Sequence, residues 1–200
     1  MRHLPPDLQV AATLAYTYGW RTQSEILTRQ RRHLDLEAGT LRLDPGETKN
    51  GKGRIIYLTP ELTGLLRDHL ARLDAAQKRA GRLVPFLFPY LRGRRAGQRR
   101  KDYRKAWASA CRKAGVSGRL RHDFRRTAVR NMVNAGVPER VAMTVTGHKT
   151  RAVFDRYHIV SPADLQDVAR KLTGTITGTI GIPDVSQVLV SREGLEPSTP

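Results

Sequence analysis

The stretch from Arg121 to Tyr157 constrains this chain more than any other, because it sets His, Arg and Tyr side chains at the ends of short segments whose interiors are apolar. At helical spacing, Arg121 to Ala135 puts Phe124, Ala128, Met132 and Ala135 on one stripe, widened by Val129 and Val133. His122 and Arg125, three residues apart, share one side of the first turn beside Val129 and Met132, which predicts partial burial of both. A guanidinium near apolar surface needs an anion, and the nearest acid, Asp123, points elsewhere around the helix. An anion from outside the chain suits it. Gly136 stops this helix, and Pro138 opens a second at its first position. Val141, Ala142, Met143 and Val145 make that second helix apolar on most sides, which predicts burial. Gly147-His148 ends it at a turn, and Thr150 caps a third helix along which Val153, Phe154 and Tyr157 fall at helical spacing.

Singly, these residues have simpler explanations. A His at a helix start is commonly a cap or a surface group, and a Tyr beside Val153 and Phe154 is commonly a core aromatic. Their order is more informative: H-x-x-R, then G-H, then a Tyr nine residues after that second His. This order resembles the tyrosine recombinases, also called phage integrases, whose boxes read here as His122, Arg125, His148 and the nucleophilic Tyr157. Trp20-Arg21-Thr22-Gln23-Ser24-Glu25-Ile26-Leu27 is similar to the family's first arginine box, with Arg21 as the clamp residue, Ser24 as a helix cap and Glu25 at the helix start. Two residues, Thr22 and Gln23, stand where the commoner pattern has one. Thr48-Lys49-Asn50-Gly51-Lys52-Gly53-Arg54 resembles the hairpin that carries the family's mobile catalytic lysine, which points to Lys49, with Lys52 as the alternative.

The rest of the chain predicts an α+β fold, mainly α-helical, with a small antiparallel sheet of about three strands packed on the helices. Leu4 to Tyr18 reads as a helix broken by Gly19; His33 to Leu36, Leu41 to Leu43 and Arg54 to Leu58 read as strands. Thr59-Pro60-Glu61 starts a helix to about Arg79, with Leu62, Leu65, Leu66, His69, Leu70 and Leu73 inward and His69 structural. Val84 to Pro89 is an apolar connection, residues 92–101 an exposed, mobile Gly/Arg-rich loop, and Tyr103 to Ala114 another helix. Ser161-Pro162 opens a short helix to Leu172. One domain is expected over 4–172, followed by a disordered tail, 173–200. The resemblance covers the catalytic part alone, so the family's N-terminal DNA-binding domain is expected to be absent.

Composition narrows the partner. Lys and Arg number 36 against 18 Asp and Glu, giving a formal charge of +18 and a pI near 11.1, which favours a polyanion. One cysteine excludes an intrachain disulfide or a cysteine-cluster metal site and suits a reducing cytoplasm. No apolar run approaches the roughly 20 residues of a membrane span.

The resemblance implies site-specific recombination through a 3′-phosphotyrosine link, with no cofactor and no metal. It assigns phosphate clamping to Arg21 and Arg125, proton transfer to His122 and Lys49, and a phosphate hydrogen bond to His148. The implied partners are a double-stranded DNA attachment site and further copies of the chain, as a homotetramer on paired sites. A type IB topoisomerase shares this chemistry, but the short length and the G-H box favour a recombinase. Two other readings stand beside it: a helix-turn-helix regulator, suggested by the helices flanking Ala135-Gly136-Val137, and an inactive integrase remnant. One codon choice for Gly194-Leu195-Glu196-Pro197 is complementary to the T-arm sequence of most transfer RNA genes, which integrases often use as attachment sites. The tail would then record genomic location, and flanking DNA without such a gene would refute the idea.

Overall fold

The computed structural model describes residues 1–47, 51–157 and 162–173, so Lys49 and the tail from residue 174, with its Gly194 to Pro197 run, lie outside the described residues. The chain divides into two units, Met1–Ile159 and Val160–Pro200, and every described candidate residue belongs to the first. The second holds one described helix, α7 (Pro162–Leu172).

Helix α1 (Pro6–Tyr18) begins with Pro at its first position and Asp7 in its first turn, and ends where Gly19 takes a left-handed conformation (φ 68°). Leu8, Val10, Ala11, Ala12, Leu14 and Ala15 are all buried, so the helix is apolar on most of its circumference and runs through the core. Three strands follow: β1 (Leu34–Asp35), β2 (Thr40–Leu43) and β3 (Arg54–Tyr57), antiparallel in the order β1-β2-β3. Leu41 pairs with Ile56 and Leu43 with Arg54. Leu41, Leu43 and Ile56 face inward while Arg42, Ile55 and Tyr57 face outward, the period of two expected of a half-covered sheet.

Helix α2 (Pro60–Ala80) is capped by the Thr59 hydroxyl, which accepts from the Leu62 N–H. It buries Leu62, Leu66, His69 and Leu73, while Leu65, expected on the same stripe, lies on the exposed flank. His69 is structural, as expected: its Nε2 meets the Leu87 carbonyl at 2.6 Å and its ring stacks on Phe88. The stretch 92–101 is largely exposed, yet Arg100 fastens it by a 2.8 Å ion pair to the buried Asp7.

Helix α3 (Arg104–Lys113) leads to the helices of the signature stretch: α4 (Asp123–Asn134), α5 (Glu139–Thr146) and α6 (Arg151–Asp155). Three expectations change here. Helix α4 starts at Asp123, leaving His122 as an exposed residue at its N-terminal boundary, and ends before Ala135, which is exposed. Helix α5 is not buried on most sides: Ala142 and Thr146 face α4 and β3, whereas Val141 is 50% exposed. Apolar composition on a two-turn helix overstates burial when only one face has a partner.

The core has two parts. The larger joins α1, the sheet, α2 and the 84–89 connection through residues such as Leu14, Trp20, Ile26, Leu66 and Phe88. The smaller gathers Val129, Ala142 and Phe154, with Met132, Met143 and Tyr157 against them. Gly19 brings α1 against α4 and α5, where a Cβ would lie 3.1 Å from Thr146 Cγ2 and 3.2 Å from Ala128 Cβ.

Candidate active site

The first cation of the signature set stands just past α1. Trp20 is buried and its indole N–H donates to the Val145 carbonyl at 2.9 Å, fixing the chain before Arg21. Residues Thr22–Ile26 then make one π-helical turn, in which Ile26 N–H reaches the Arg21 carbonyl (3.1 Å) and Leu27 N–H that of Thr22 (2.9 Å). A π turn takes up one more residue than an α turn. The additional residue between Arg21 and Ser24 is thereby absorbed, and Arg21 still meets Glu25: its backbone N–H donates to Oε2 at 2.7 Å and Nη1 to Oε1 at 2.8 Å. Ser24 is not a cap but an exposed residue within the turn, with Arg21 at the boundary.

Glu25 is 1% exposed, and a buried carboxylate needs its charge answered. Besides Arg21, Arg54 of β3 answers it, with Nη2 at 2.5 Å from Oε1 and its guanidinium 5.5 Å from the Trp20 ring centre.

Arg125 enters from α4 and is 2% exposed. Its Nη1 donates to the Gly19 carbonyl at 2.6 Å and its Nε to His148 Nε2 at 3.2 Å, while Nη2 is buried with no hydrogen-bond partner among the described residues. Burial pushes its pKa down to about 10, the Arg21 cation adding to the effect, and it is still protonated at neutral pH. These contacts assign the His148 proton. Nε2 must accept from Arg125, so Nδ1 carries the hydrogen and donates to Thr146 Oγ1 at 2.7 Å, and that hydroxyl donates to the Ala142 carbonyl at 2.7 Å. Burial, followed by the Arg125, Arg21 and Arg54 charges, lowers His148 to about 3, so the ring is neutral. In this arrangement it orients Arg125.

Tyr157 follows α6, whose first turn is capped by Thr150 Oγ1 accepting from Val153 N–H at 3.3 Å. Phe154 is fully buried beneath it. The Tyr157 hydroxyl lies 3.0 Å from His122 Nε2, and its ring lies 4.8 Å from the His148 ring and 5.7 Å from the Arg125 guanidinium. Desolvation of its ring among the site residues, exposed though the residue is, and the Arg125 and Arg21 cations hold His122 below its ordinary 6.5, favouring a neutral ring. The structure therefore brings together Arg21, His122, Arg125, His148 and Tyr157. Trp20, Arg21, Ser24, His122 and Arg125 line a cleft of about 210 Å³. Lys52 lines a separate groove of about 630 Å³ together with Arg54, Arg140, His148 and Lys149.

His33, Asp44 and Glu47 group their polar atoms as a metal site would. The tautomer argues otherwise: His33 Nδ1 receives the Gln30 N–H at 3.0 Å and faces Arg29 Nη1 at 3.3 Å, so Nε2 bears the proton that points toward Asp44 (3.3 Å) and Glu47 (3.7 Å). With Arg29 bound to Glu47 at 2.6 Å, the group ties down the chain that follows β2.

Residues 4–163 match the phage integrase family, and the chain belongs to that family. The integrase of Salmonella phage P22 is 33% identical over 87 residues, which is 44% of this chain and 22% of the phage protein. Among solved structures, XerA recombinase superposes with a TM-score of 0.59 at 16% identity, over 82% of this chain and 62% of that one. The Tn1549 transposon integrase in complex with a circular intermediate DNA gives a TM-score of 0.61 at 16% identity, over 82% of this chain and 58% of that one. The chain thus spans less than two thirds of each of these relatives, and at such identity the structural likeness concerns the fold alone. No helix among the described residues is long and apolar enough to cross a membrane.

Proposed function

We propose that this chain breaks and rejoins duplex DNA at specific sites through a covalent 3′-phosphotyrosine intermediate, in integration or excision of a mobile element. The observation that carries the reading is the 3.0 Å contact between the Tyr157 hydroxyl and His122 Nε2 beside Arg125, whose buried Nη2 lacks a partner among the described residues. In this reading Tyr157 Oη attacks the scissile phosphorus as its proton passes to His122, and the 5′-oxygen leaves as an alcohol after taking a proton from Lys49, with Lys52 the alternative donor. The phosphodiester bond is exchanged, not hydrolysed, so the second strand is joined without another energy source. Arg21 and Arg125 hold the non-bridging oxygens as charge develops on them, and losing one such donor costs on the order of 3 kcal/mol.

DNA as substrate is supported by the +18 charge and the groove that Lys52, Arg140 and Lys149 line, and by the DNA-bound state of the Tn1549 relative. The full reading places a homotetramer on paired attachment sites in the cytoplasm. A helix-turn-helix regulator fits less well, since α5 buries Ala142 and Thr146 and delivers His148 beside Arg125. The test is a nicked duplex from DNA flanking the coding sequence, which traps the cleaved state when the short strand diffuses away. A protein-DNA adduct on a denaturing gel, lost in Tyr157→Phe, is expected. An adduct that survives that change reassigns the nucleophile.

A further inference from the structure

Arg54 opens β3 where a surface residue is the simple expectation, yet its side chain is 8% exposed. Three features hold it: the 2.5 Å ion pair to Glu25 Oε1, the Trp20 ring at 5.5 Å, and Gly147, where a Cβ would overlap the Arg54 guanidinium. Its Nη1 is buried and has no hydrogen-bond partner among the described residues. The glycine of the G-H pair thus serves two ends: it adopts the left-handed turn (φ 74°) after α5 and leaves room for a cation from the sheet.

We infer that Arg54 is a positioning residue for strand cleavage: as counter-ion to Glu25, it leaves Arg21 available to the phosphate. This rests on the reading of Arg21 as a phosphate clamp. Glu25 Oε2 takes the Arg21 backbone N–H, and Oε1 is shared by Arg21 Nη1 and Arg54 Nη2. With donors on both oxygens, the carboxylate cannot pivot without breaking a bond. The two arginines are not equivalent, since the Arg21 side chain is 37% exposed and that of Arg54 only 8%. Arg54 is therefore committed to the interior, while Arg21 keeps a face toward the cleft. Removing Arg54 leaves a buried carboxylate with Arg21 as its remaining ion-pair partner, which draws that guanidinium inward.

The experiment compares wild type, Arg54→Met, Arg54→Lys, Arg21→Ala and the double Arg21→Ala/Arg54→Met variant in single-turnover cleavage of the nicked duplex. Arg54→Met is expected to slow adduct formation about 100-fold, as loss of a transition-state donor does, with DNA affinity within about threefold of wild type. Arg54→Lys recovers part of the rate. The double variant is expected to be no slower than Arg21→Ala, because both changes act through one element; multiplicative losses mean that Arg54 acts independently of Arg21 and overturn the inference. A methylphosphonate at the scissile position, which removes one anionic oxygen, is expected to narrow the Arg54→Met defect, as damage to the fold alone would not. A second readout needs no activity. In DNA-free protein the Arg21 Nε–Hε resonance is expected to shift and exchange more slowly with solvent in Arg54→Met, and an unchanged resonance overturns the inference. A wild type that forms no adduct defeats the recombinase reading, and this resonance still decides the role of Arg54. Should Arg54→Met not fold, Glu25→Gln/Arg54→Met removes the orphaned charge. It is expected to cleave at the rate of Glu25→Gln, and a slower rate overturns the inference.

Discussion

The part of the molecule that supplies Arg21 and the part that supplies Tyr157 are held very differently. Arg21 and Glu25 sit against the larger core, with Trp20, Ile26 and Leu27 buried around them and ion pairs tying the turn to β3. Tyr157 follows a five-residue helix over a core of three fully buried residues, Val129, Ala142 and Phe154. The contrast separates two requirements. A group that stabilises developing charge works best when its dipoles are fixed beforehand, whereas a nucleophile that becomes covalently attached to a substrate must also be able to move with it. On the proposed reading, buried ion pairs meet the first requirement and a short helix anchored chiefly by one phenylalanine meets the second.

The sharpest test of that contrast is Tyr157→Phe. It is expected to abolish the covalent adduct while leaving stability within about 0.5 kcal/mol of wild type in denaturant titration, as a partly exposed substitution away from core features should. A large loss of stability would make Tyr157 a structural residue and erase the contrast. Arg125→Lys comes next, since it touches both regions. It keeps the charge but loses the fork that serves Gly19 and His148, so cleavage is expected to fall at least about 100-fold and stability by about 1.5–3 kcal/mol. Phe154→Ala should cost about 3–5 kcal/mol in contacts of the small core. Hydrogen exchange should show that loss confined to α5 and α6, whereas Leu66→Ala raises exchange throughout the first unit; a global response to Phe154→Ala would mean that the two regions unfold as one.

The smallest expected effect concerns pH. The His148 pKa is about 3 in the folded protein against an ordinary 6.5, so the unfolded chain binds the proton more readily. Its contribution to stability is complete above about 6.5 and declines as the pH falls below that value. The denaturation midpoint should therefore drop between pH 7 and pH 5, and His148→Asn should flatten the dependence. The lowered pKa of His122 adds a trend of the same sign.

Much of this site was legible as spacing. His122, Arg125, His148 and Tyr157 are separated by short intervals whose helices and glycine stops follow from local pattern, and these residues meet in space. The three-strand sheet was legible for the same reason, since alternation in Leu41 to Leu43 and turn residues around Gly39 are local signals. What failed depends on partners far along the chain. The exposure of Val141 is decided by what α5 packs against, and the Glu25–Arg54 pair joins a π turn to a strand without any shared period. The Ser24 cap failed because hydrogen bonds to the fifth residue along replaced those to the fourth. The proton on His148 was beyond reach too, being set by Arg125 on one side and Thr146 on the other.

The bond from Arg125 to the Gly19 carbonyl spans 106 positions of sequence. One arm of the Arg125 guanidinium is thus a latch between the end of α1 and the start of α4. During synthesis the segment carrying Arg21 emerges long before Arg125, His148 and Tyr157, and in the proposed mechanism it has no clamp partner and no nucleophile until the later helices dock. On the proposed reading the catalytic set therefore assembles only as the fold closes, and a half-made or locally opened chain lacks the means to cleave DNA.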